Sequence, residues 1–333
     1  MFVVGGECLI DLVQEGVGPD GKIRMSALEG GSPYNCAIAL AKLGKETGFL
    51  CPISKDGFGD YLLAPLDRAG VRPLLADRVA APTTLAVVTF NERMQAQYEF
   101  YRGADRAYTA TGLIAALPQN LDVLQFGGFT TIEPEDAASY LEVVKTAVGR
   151  GVTVTMDPNM RPSLVHDFAA YAAQLDRFFD LVHLVKVSIE DLVYFDTQRV
   201  VKDIDAELPA AEQEVIVTRH VGDLLKRPNC ELVVVTYGEH GSRAFARGGA
   251  TATAPIYSPP VFGDTVGAGD SLMAGILTFL GESGDLKPGR LGALDAETLQ
   301  RMLRFGAVVA GLNCAHKGCN PPTRAEVDAV LAA

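Results

Sequence analysis

DTVGAGD, residues 264–270, runs straight into the apolar helical stretch Ser271–Leu280, and this junction is the most informative segment of the chain. Its two glycines allow the main chain to approach a ligand closely, and the alanine between them adds almost no bulk. The first N–H groups of a helix lack partners within it, so a glycine-rich turn there is suited to binding a phosphate. A carboxylate would repel that phosphate, and Asp270 is therefore better explained as a base for an attacking hydroxyl. A structural alternative is open at this point, because the helix dipole also favours aspartate in a first turn and small residues pack tightly.

The composition indicates a folded protein with an excess of negative charge. With 333 residues, 48% of them hydrophobic, the chain can bury a large core in one α/β domain or two smaller ones. The net charge of −12 argues against a nucleic-acid surface, which needs clustered Lys and Arg. The first ten residues contain no basic leader region, and no apolar run reaches the length of a membrane span. We therefore expect a cytoplasmic protein whose partners include neither nucleic acid nor a membrane.

The cysteines and histidines do not form a recognisable reactive pattern. Cysteines occur at positions 8, 36, 51, 230, 314 and 319, mostly among apolar residues and without a CxxC pair. They are predicted to be buried free thiols in a reducing compartment. The five histidines are scattered, so the sequence does not support a Ser-His-Asp arrangement.

Short apolar runs alternate with segments of helical periodicity along the chain. The runs predict buried strands at Phe2–Ile10, Gly48–Ile53, Leu121–Phe126, Val152–Met156, Leu181–Val187 and Leu232–Thr236. The periodic segments predict helices at Asn35–Leu43, Tyr61–Ala69, Pro134–Val148, Phe168–Phe178 and Asp191–Phe195. Alternating strands and helices predict a mainly parallel sheet covered on both faces, and ligands of such sheets bind beyond the carboxyl ends of the strands.

Two stretches interrupt this alternation. Residues 13–28 and 85–101 have the period of two that is typical of strands, and no helix of their own. They predict a small β lid, with segments at about 13–28 and 85–107 inserted in the main domain; ordinary surface hairpins are the alternative. The apolar residues 85–90 predict an exposed edge, and therefore a homodimer that pairs through its lids. Residues 196–227 are long and charged for a connection and predict a helix with exposed faces.

Two other glycine-rich segments need an interpretation. Residues 16–22 have the glycine and lysine spacing of a P-loop, but Ile23 stands where a magnesium-binding Ser or Thr is needed and no helical pattern follows. This segment is interpreted as a turn in the lid. The sequence GEHG, residues 238–241, is a second glycine turn, placed just after a predicted strand.

Taken together, these segments resemble the ribokinase-like sugar kinases, or PfkB family, over essentially the whole chain. EGGSPYN, residues 29–35, is similar to the family's N-terminal signature, and residues 264–270 are similar to its C-terminal one. The sequences at 100–102 (FYR), 157–161 (DPNMR) and 186–188 (KVS) are similar to the fructokinase and 2-keto-3-deoxygluconate kinase branch. The resemblance implies one ribokinase-like domain over residues 1–333, with three α/β/α layers, a mainly parallel sheet and an inserted lid.

The resemblance implies ATP-dependent phosphorylation of a sugar hydroxyl. Asp270 would be the base, and Gly267, Ala268 and Gly269 would form the anion hole for the transferring phosphoryl group. This division of roles suits phosphoryl transfer, which depends chiefly on positioning and on stabilising charge.

The same likeness assigns residues to the sugar. Asp11, Gly31 and Asn35 would bind hydroxyl groups, although Asp11 could equally end a strand in a turn and Asn35 could cap a helix. Arg161 is a candidate contact to a sugar oxygen, carboxylate or phosphate, with Arg102 reaching in from the lid.

On the nucleotide side, the likeness places Thr236, Gly238 and Gly241 near the phosphates and ribose of ATP. It places the stretch Ala310–Asn320 beside the adenine, with Asn313 as a polar residue of that wall.

The predicted metal contacts depart from the family pattern. Many relatives use an Asn-x-x-Glu motif to organise Mg²⁺ and phosphate, whereas the aligned residues here are Ser188 and Asp191. Lys186 would pair with the triphosphate, unless it is a solvated lysine at a strand end. Asp264 and the carbonyl of Val266 resemble part of a monovalent-cation site, which would hold K⁺.

The function expected from this resemblance is transfer of the γ-phosphate of ATP to a primary hydroxyl, most naturally that of fructose. 2-Keto-3-deoxygluconate is the alternative substrate, because arginine binds carboxylates as well as hydroxyls. A non-catalytic sensor of sugar or nucleotide on the same fold is the alternative from another class. A glycosidase or lyase is disfavoured, since the sequence contains no isolated nucleophile and base pair.

Overall fold

The computed structural model describes residues 1–90, 96–201 and 203–333. The strands are β1 (Phe2–Gly5), β2 (Leu9–Val17), β3 (Ile23–Gly30), β4 (Thr47–Leu50), β5 (Arg72–Pro73), β6 (Leu85–Phe90), β7 (Ala96–Tyr101), β8 (Val123–Gly127), β9 (Thr153–Asp157), β10 (Leu184–Ser188), β11 (Leu232–Thr236), β12 (Ser242–Ala246) and β13 (Thr251–Ala254). The helices are α1 (Ser32–Lys42), α2 (Gly57–Ala69), α3 (Ala110–Ala116), α4 (Pro134–Gly149), α5 (Phe168–Phe179), α6 (Ile189–Thr197), α7 (Ile204–Glu207), α8 (Ala210–Leu225), α9 (Ala268–Ser283), α10 (Ala296–Asn313) and α11 (Arg324–Ala332).

The larger sheet has nine strands within the described residues, in the order β13-β12-β11-β10-β9-β8-β1-β4-β5. All neighbours from β11 to β5 run parallel, whereas β12 pairs antiparallel with both β11 and β13. The predicted, mainly parallel sheet is therefore confirmed. The antiparallel pair β12–β13 and the helix α10 were not predicted.

The core consists of two apolar layers, one on each face of this sheet. Along β1, Val3 belongs to one layer and Val4 to the other, and Val233 and Val234 of β11 divide in the same way. Successive side chains of a strand point to opposite faces, so continuous apolar strands bury residues on both. Helices α4, α5 and α8 cover the first face, and α1, α9 and α10 cover the second.

The smaller sheet is a four-stranded lid, in the order β3-β2-β6-β7 among the residues described. The predicted lid is confirmed over the described residues, and positions 91–95 of its second segment lie outside them. Its beginning differs from the prediction. Phe2–Ile10 was expected as one strand, whereas Phe2–Gly5 lies in the large sheet and the lid starts at Leu9. Gly6, at φ 148°, turns the chain between the two sheets, and the unbroken apolar run gave no sign of this change.

Two other local expectations change in the structure. Residues 85–90 are not an edge, since β6 pairs with both β2 and β7, and the lid edges are β3 and β7. The single helix expected over 196–227 is divided in the described part of that range, outside which residue 202 lies. Gln198 ends α6 in a left-handed conformation at φ 57°, and α7 and α8 follow.

Residues 16–22 form the expected turn between β2 and β3. The Gly18 N–H donates to the Lys22 carbonyl at 2.8 Å, and the Gly21 N–H donates to the Gly18 carbonyl at 2.9 Å. These contacts close a tight lid turn rather than a phosphate loop.

The six cysteines are free thiols, and all but Cys319 are buried. Helices long and apolar enough to cross a membrane do not occur among the described residues.

Candidate active site

Asp270 lies in the first turn of α9, and its two carboxylate oxygens receive hydrogen bonds from α1. Ser32 Oγ donates to Asp270 Oδ1 at 2.6 Å, and Asn35 Nδ2 donates to Asp270 Oδ2 at 2.9 Å. Burial raises the pKa of Asp270, while the two donors and the charges of Lys186 and Arg161 act in the opposite direction. The structure thus brings together the two signature motifs, and it presents a buried carboxylate of raised basicity.

Ser32 is a site residue that sequence reasoning missed, because the signature around it drew attention only to its neighbours. Its hydroxyl stabilises the ionised form of Asp270, which is the form that can accept a proton. We expect Ser32→Ala to raise the pKa of Asp270 further. The acid limb of kcat/KM should then move to higher pH by about one unit, as expected for a lost hydrogen bond to a charged group.

A pH–rate profile from pH 5 to 9 checks this prediction. Ser283→Ala is a matched control, since Ser283 Oγ donates to the Leu280 carbonyl at the far end of the same helix. An unmoved acid limb in Ser32→Ala, alongside an unmoved limb in the control, would contradict the assigned contact.

The glycine-rich turn ahead of Asp270 is tightly enclosed. Gly267 caps α9 at φ 73°, and a Cβ placed there would lie 2.3 Å from Cys319 Sγ. A Cβ on Gly269 would lie 2.9 Å from Lys186 Nζ. Within the described chain, the N–H groups of Gly267 and Gly269 have no acceptor, so they can bind an anion. The N–H of Ala268 differs from expectation, because it donates to the Thr265 carbonyl at 3.1 Å.

Asp264, Val266 and Asn313, which were predicted as ligand residues, hold this turn through hydrogen bonds. Asp264 accepts from the N–H groups of Val266, at 2.9 Å, and Gly318, at 2.8 Å. Asn313 Nδ2 donates to the Val266 carbonyl at 2.7 Å, and Asn313 is fully buried rather than part of the adenine wall. Asn320 adds to these contacts by donating its N–H to Asn313 Oδ1.

A cavity of about 550 Å³ begins at this turn and extends between β11, β12 and α10. Thr236, Gly238 and Gly241, the residues predicted to lie near ATP, line it together with Ala268 and Gly269 of the turn. Its other walls are largely apolar and include Ile256, Tyr257, Pro259, Phe262, Leu272, Ala310 and Gly311. A largely apolar cavity of this size that reaches main-chain donors at the turn suits a nucleotide with its phosphates there.

Ser188 and Asp191 do not face this cavity. Ser188 caps α6, and Asp191 Oδ2 accepts from the Ser188 N–H at 3.1 Å in a reciprocal capping box. Asp191 Oδ1 accepts from the Met160 N–H at 2.9 Å. Asp191 is absent from the residues that line this cavity, and its carboxylate serves the cap and the Met160 N–H, so its position does not support the predicted role of a direct Mg²⁺ ligand.

Lys186 is also not the solvated lysine that a strand end suggested. Its ammonium pairs with Asp157 at 2.7 Å inside the protein, and its pKa is raised: burial acts to lower it, and the charge of Asp157 more than offsets this. The ammonium lies against Gly269.

Two of the predicted sugar residues, Asp11 and Gly31, lie near the start of β2 and just after the end of β3. Asp11 lies on β2, and burial raises its pKa to about 6, an effect that Arg161 reduces. Gly31 adopts φ 112°, and a Cβ there would meet the Glu7 carbonyl at 2.7 Å. Glu7 was missed, since it resembled one polar residue within a strand. It is buried, accepts from the Phe129 N–H at 3.1 Å, and burial raises its pKa to about 7.

The two predicted arginines differ in their partners. Arg102 pairs with Asp105 at 2.5 Å and with Asp136 at 2.9 Å, and its guanidinium lies 4.8 Å from the centre of the Phe129 ring. Arg102 therefore anchors the base of the lid rather than reaching towards a sugar. Arg161 donates to the carbonyl of Asn159 at 2.9 Å and, among the described residues, has no carboxylate partner.

Comparisons with known proteins agree with this arrangement. The sequence model of the family described as "pfkB family carbohydrate kinase" matches residues 1–326 of this chain. A probable fructokinase-5 of Arabidopsis thaliana is 29% identical over 339 residues, which cover 99% of this chain and 97% of that protein.

Solved structures share the fold over nearly the whole length. The Xylella fastidiosa fructokinase with bound ATP superposes with a TM-score of 0.84 at 25% identity and covers 99% of this chain and 98% of its own. A Vibrio cholerae fructokinase double mutant, bound to fructose, ADP and potassium ion, has a TM-score of 0.76 at 20% identity, over 98% and 97% of the two chains. The latter likeness shows the fold alone. The nine-stranded sheet, the four-stranded lid and the family match together establish that this chain belongs to the pfkB family of ATP-dependent carbohydrate kinases.

Proposed function

We propose that this kinase transfers the γ-phosphate of ATP to a primary hydroxyl of a small neutral sugar, with fructose as the first candidate. The observation that carries the proposal is the position of Asp270. This carboxylate is buried between the two donors from α1 and the free N–H groups of the glycine turn. A hydroxyl beside Asp270 could lose its proton there while the phosphoryl group is bound at the turn.

The charges around Asp270 favour a neutral sugar over a sugar acid. Asp11, half-buried on the lid strand β2, and Glu7, buried just before that strand, add carboxyl groups on this side of the site. Arg102 is neutralised by Asp105 and Asp136. Arg161 is therefore the arginine left to balance the carboxyl groups of Asp11 and Glu7. Carboxylates accept hydrogen bonds from sugar hydroxyls, whereas a substrate carboxylate would be repelled by them.

One observation favours the alternative substrate, 2-keto-3-deoxygluconate. Arg161 lies close enough to lower the pKa of both Asp11 and Asp270, and no carboxylate pairs with it in the described part of the chain. A guanidinium in this position could receive a substrate carboxylate. The two candidates therefore differ in whether Arg161 balances the carboxylates of the protein or binds one from the substrate.

We infer that Thr236, Gly238 and Gly241 contact ATP, because they line the cavity that ends at the glycine turn. Magnesium would enter with the phosphates of ATP, since Mg²⁺ commonly keeps waters and uses few protein ligands. Asp264 and the Val266 carbonyl retain lone pairs beyond their present hydrogen bonds and could hold K⁺.

We expect the enzyme to act in the cytoplasm, where its six thiols would remain reduced.

ATP consumption by the purified protein, with magnesium and with or without potassium, tests the substrate. Fructose, 2-keto-3-deoxygluconate, ribose and a nucleoside form the panel, and NMR of the product identifies the phosphorylated oxygen. We expect kcat/KM for fructose to exceed that for the sugar acid by about 100-fold, or roughly 2.7 kcal/mol of transition-state discrimination. A preference for the sugar acid would favour the alternative, and no turnover with any sugar would contradict the proposal.

We further propose a homodimer formed through the lids. Val17, Ile23, Leu28, Tyr98 and Tyr101 are exposed apolar residues of the lid, and β3 and β7 are its free edges in the described chain. Light scattering should therefore give about twice the chain mass of 35.4 kDa. Ile23→Asp with Tyr101→Asp is expected to yield a monomer, whereas Val200→Asp, an exposed apolar site outside the lid, should not. A monomeric wild type at micromolar concentration would contradict this proposal.

A further inference from the structure

Asp157 and Lys186 form an ion pair inside the protein, beneath the glycine turn. Asp157 ends β9, and Lys186 is the third residue of the neighbouring parallel strand β10. Lys186 Nζ donates to Asp157 Oδ2 at 2.7 Å, and the two side chains are 7% and 4% exposed, respectively. Stability alone is a poor explanation for so buried a pair, because the desolvation of two charges offsets much of their attraction.

The pair contacts both parts of the candidate active site. On one side, the Lys186 ammonium lies so close to Gly269 that a Cβ there would approach it to 2.9 Å. On the other, Asp157 and Asp270 line the same cavity of about 10 Å³, which has room for one water molecule. Asp157 Oδ1 is buried without a hydrogen-bond partner among the described residues. The ion pair is therefore continuous with the base and with the anion-binding turn.

The charge of Lys186 depends on Asp157. Burial disfavours an ammonium ion, and the charge of Asp157 and its hydrogen bond reverse that effect. The charges of Asp270 and Asp191 contribute to the same effect, but of the three carboxylates only Asp157 accepts a hydrogen bond from Lys186. Without the Asp157 carboxylate, Lys186 would lose the hydrogen-bond partner that orients it. It would also lose the largest of the interactions that favour its charged form.

We propose that Asp157 is a positioning residue for phosphoryl transfer, which keeps Lys186 charged and fixed against Gly269 at the anion-binding turn. Asp157 itself would touch neither ATP nor the sugar and would act through Lys186. This inference rests on the proposed function, because it assigns the turn to the transferring phosphoryl group. A fixed positive charge there would stabilise the negative charge of the phosphoryl group without reorganisation during the reaction.

Three variants test the proposal: Asp157→Asn, Lys186→Met and the double variant. Each single change should lower kcat and raise KM for ATP, with a loss in kcat/KM of about 10- to 100-fold, while the dissociation constant of the sugar changes less than about twofold. If Asp157 acts only through Lys186, the double variant should match Lys186→Met within about twofold. Asp196→Asn, which removes a carboxylate paired with Arg219 on α8, is the control and should leave all constants unchanged.

Losses that multiply in the double variant would overturn the proposal, as would wild-type constants in Asp157→Asn. If Asp157→Asn does not fold, the comparison of Lys186→Met with the double variant carries the same test, since neither contains an unpaired buried ammonium.

The proposed function can fail separately. If the wild type turns over no sugar, calorimetric binding of ATP to the same variants decides the role of the pair. Equally weakened ATP binding in all three variants supports the proposed role of the ion pair, and unchanged ATP affinity overturns that role.

Discussion

Replacing Asp270 by Asn is expected to lower kcat by about 10²- to 10⁴-fold, the range typical of a lost general base. The amide has nearly the same shape, and its oxygen can still accept a hydrogen bond from α1, where Ser32 and Asn35 now donate to the carboxylate. It cannot take a proton from the sugar hydroxyl at neutral pH. The dissociation constants of ATP and sugar should therefore change little, so that the loss appears in kcat and kcat/KM alike.

Steady-state kinetics with saturating ATP and sugar, combined with calorimetric binding of each, measures this effect. Asp295→Asn is the matched control, because Asp295 caps α10 by accepting from the Thr298 N–H at 2.8 Å and asparagine caps a helix equally well. Near-normal turnover in Asp270→Asn would remove this carboxylate from the mechanism.

Gly267→Ala is the second change from which we expect a large effect. Gly267 has φ 73°, a conformation that costs other residues about 1–3 kcal/mol. In addition, the new Cβ would lie 2.3 Å from Cys319 Sγ and 2.8 Å from its Cβ, so the turn must shift. We expect kcat/KM to fall by about 10²- to 10³-fold, as for the loss of one oxyanion-type donor.

The control for this prediction is Gly284→Ala, at the other end of the same helix. Gly284 has nearly the same φ, 78°, but a Cβ there meets no atom within 4 Å. Thermal unfolding should show a loss of stability in both variants, whereas kinetics should show lost activity only in Gly267→Ala. Equal activity in the two variants would mean that the turn does not bind the phosphoryl group.

Local sequence patterns predicted most of the fold, because strand burial and helical periodicity depend on residues that are close together in the chain. The apolar runs at Val152–Met156 and Leu232–Thr236 mark strands buried on both faces, and the structure has strands within two residues of both. The periodicity of Pro134–Val148 likewise marks a helix that ends one residue later. The apolar run Phe2–Ile10 failed as a predictor, since burial in one sheet and burial in the next look alike in sequence.

The candidate site divides along the same line. The turn at residues 264–270 could be recognised because its glycines, its helix start and its carboxylate are consecutive. The long-range partners of Arg102 and Lys186 could not, because Asp136 and Asp157 lie 34 and 29 positions away. The sequence does not distinguish a charged side chain that faces solvent from one that pairs with a buried counter-ion.

By itself, the sequence determined the alternation of strands and helices, the presence of a lid and the chemistry available at the start of α9. These features depend on periodicity, glycine and helix ends, which act over a few residues. Only the tertiary structure decided which charges are paired: Arg102 at the base of the lid and Lys186 beneath the glycine turn. The physical reason is that pairing and desolvation depend on distance in space, and the fold alone brings together strands that are far apart in the chain.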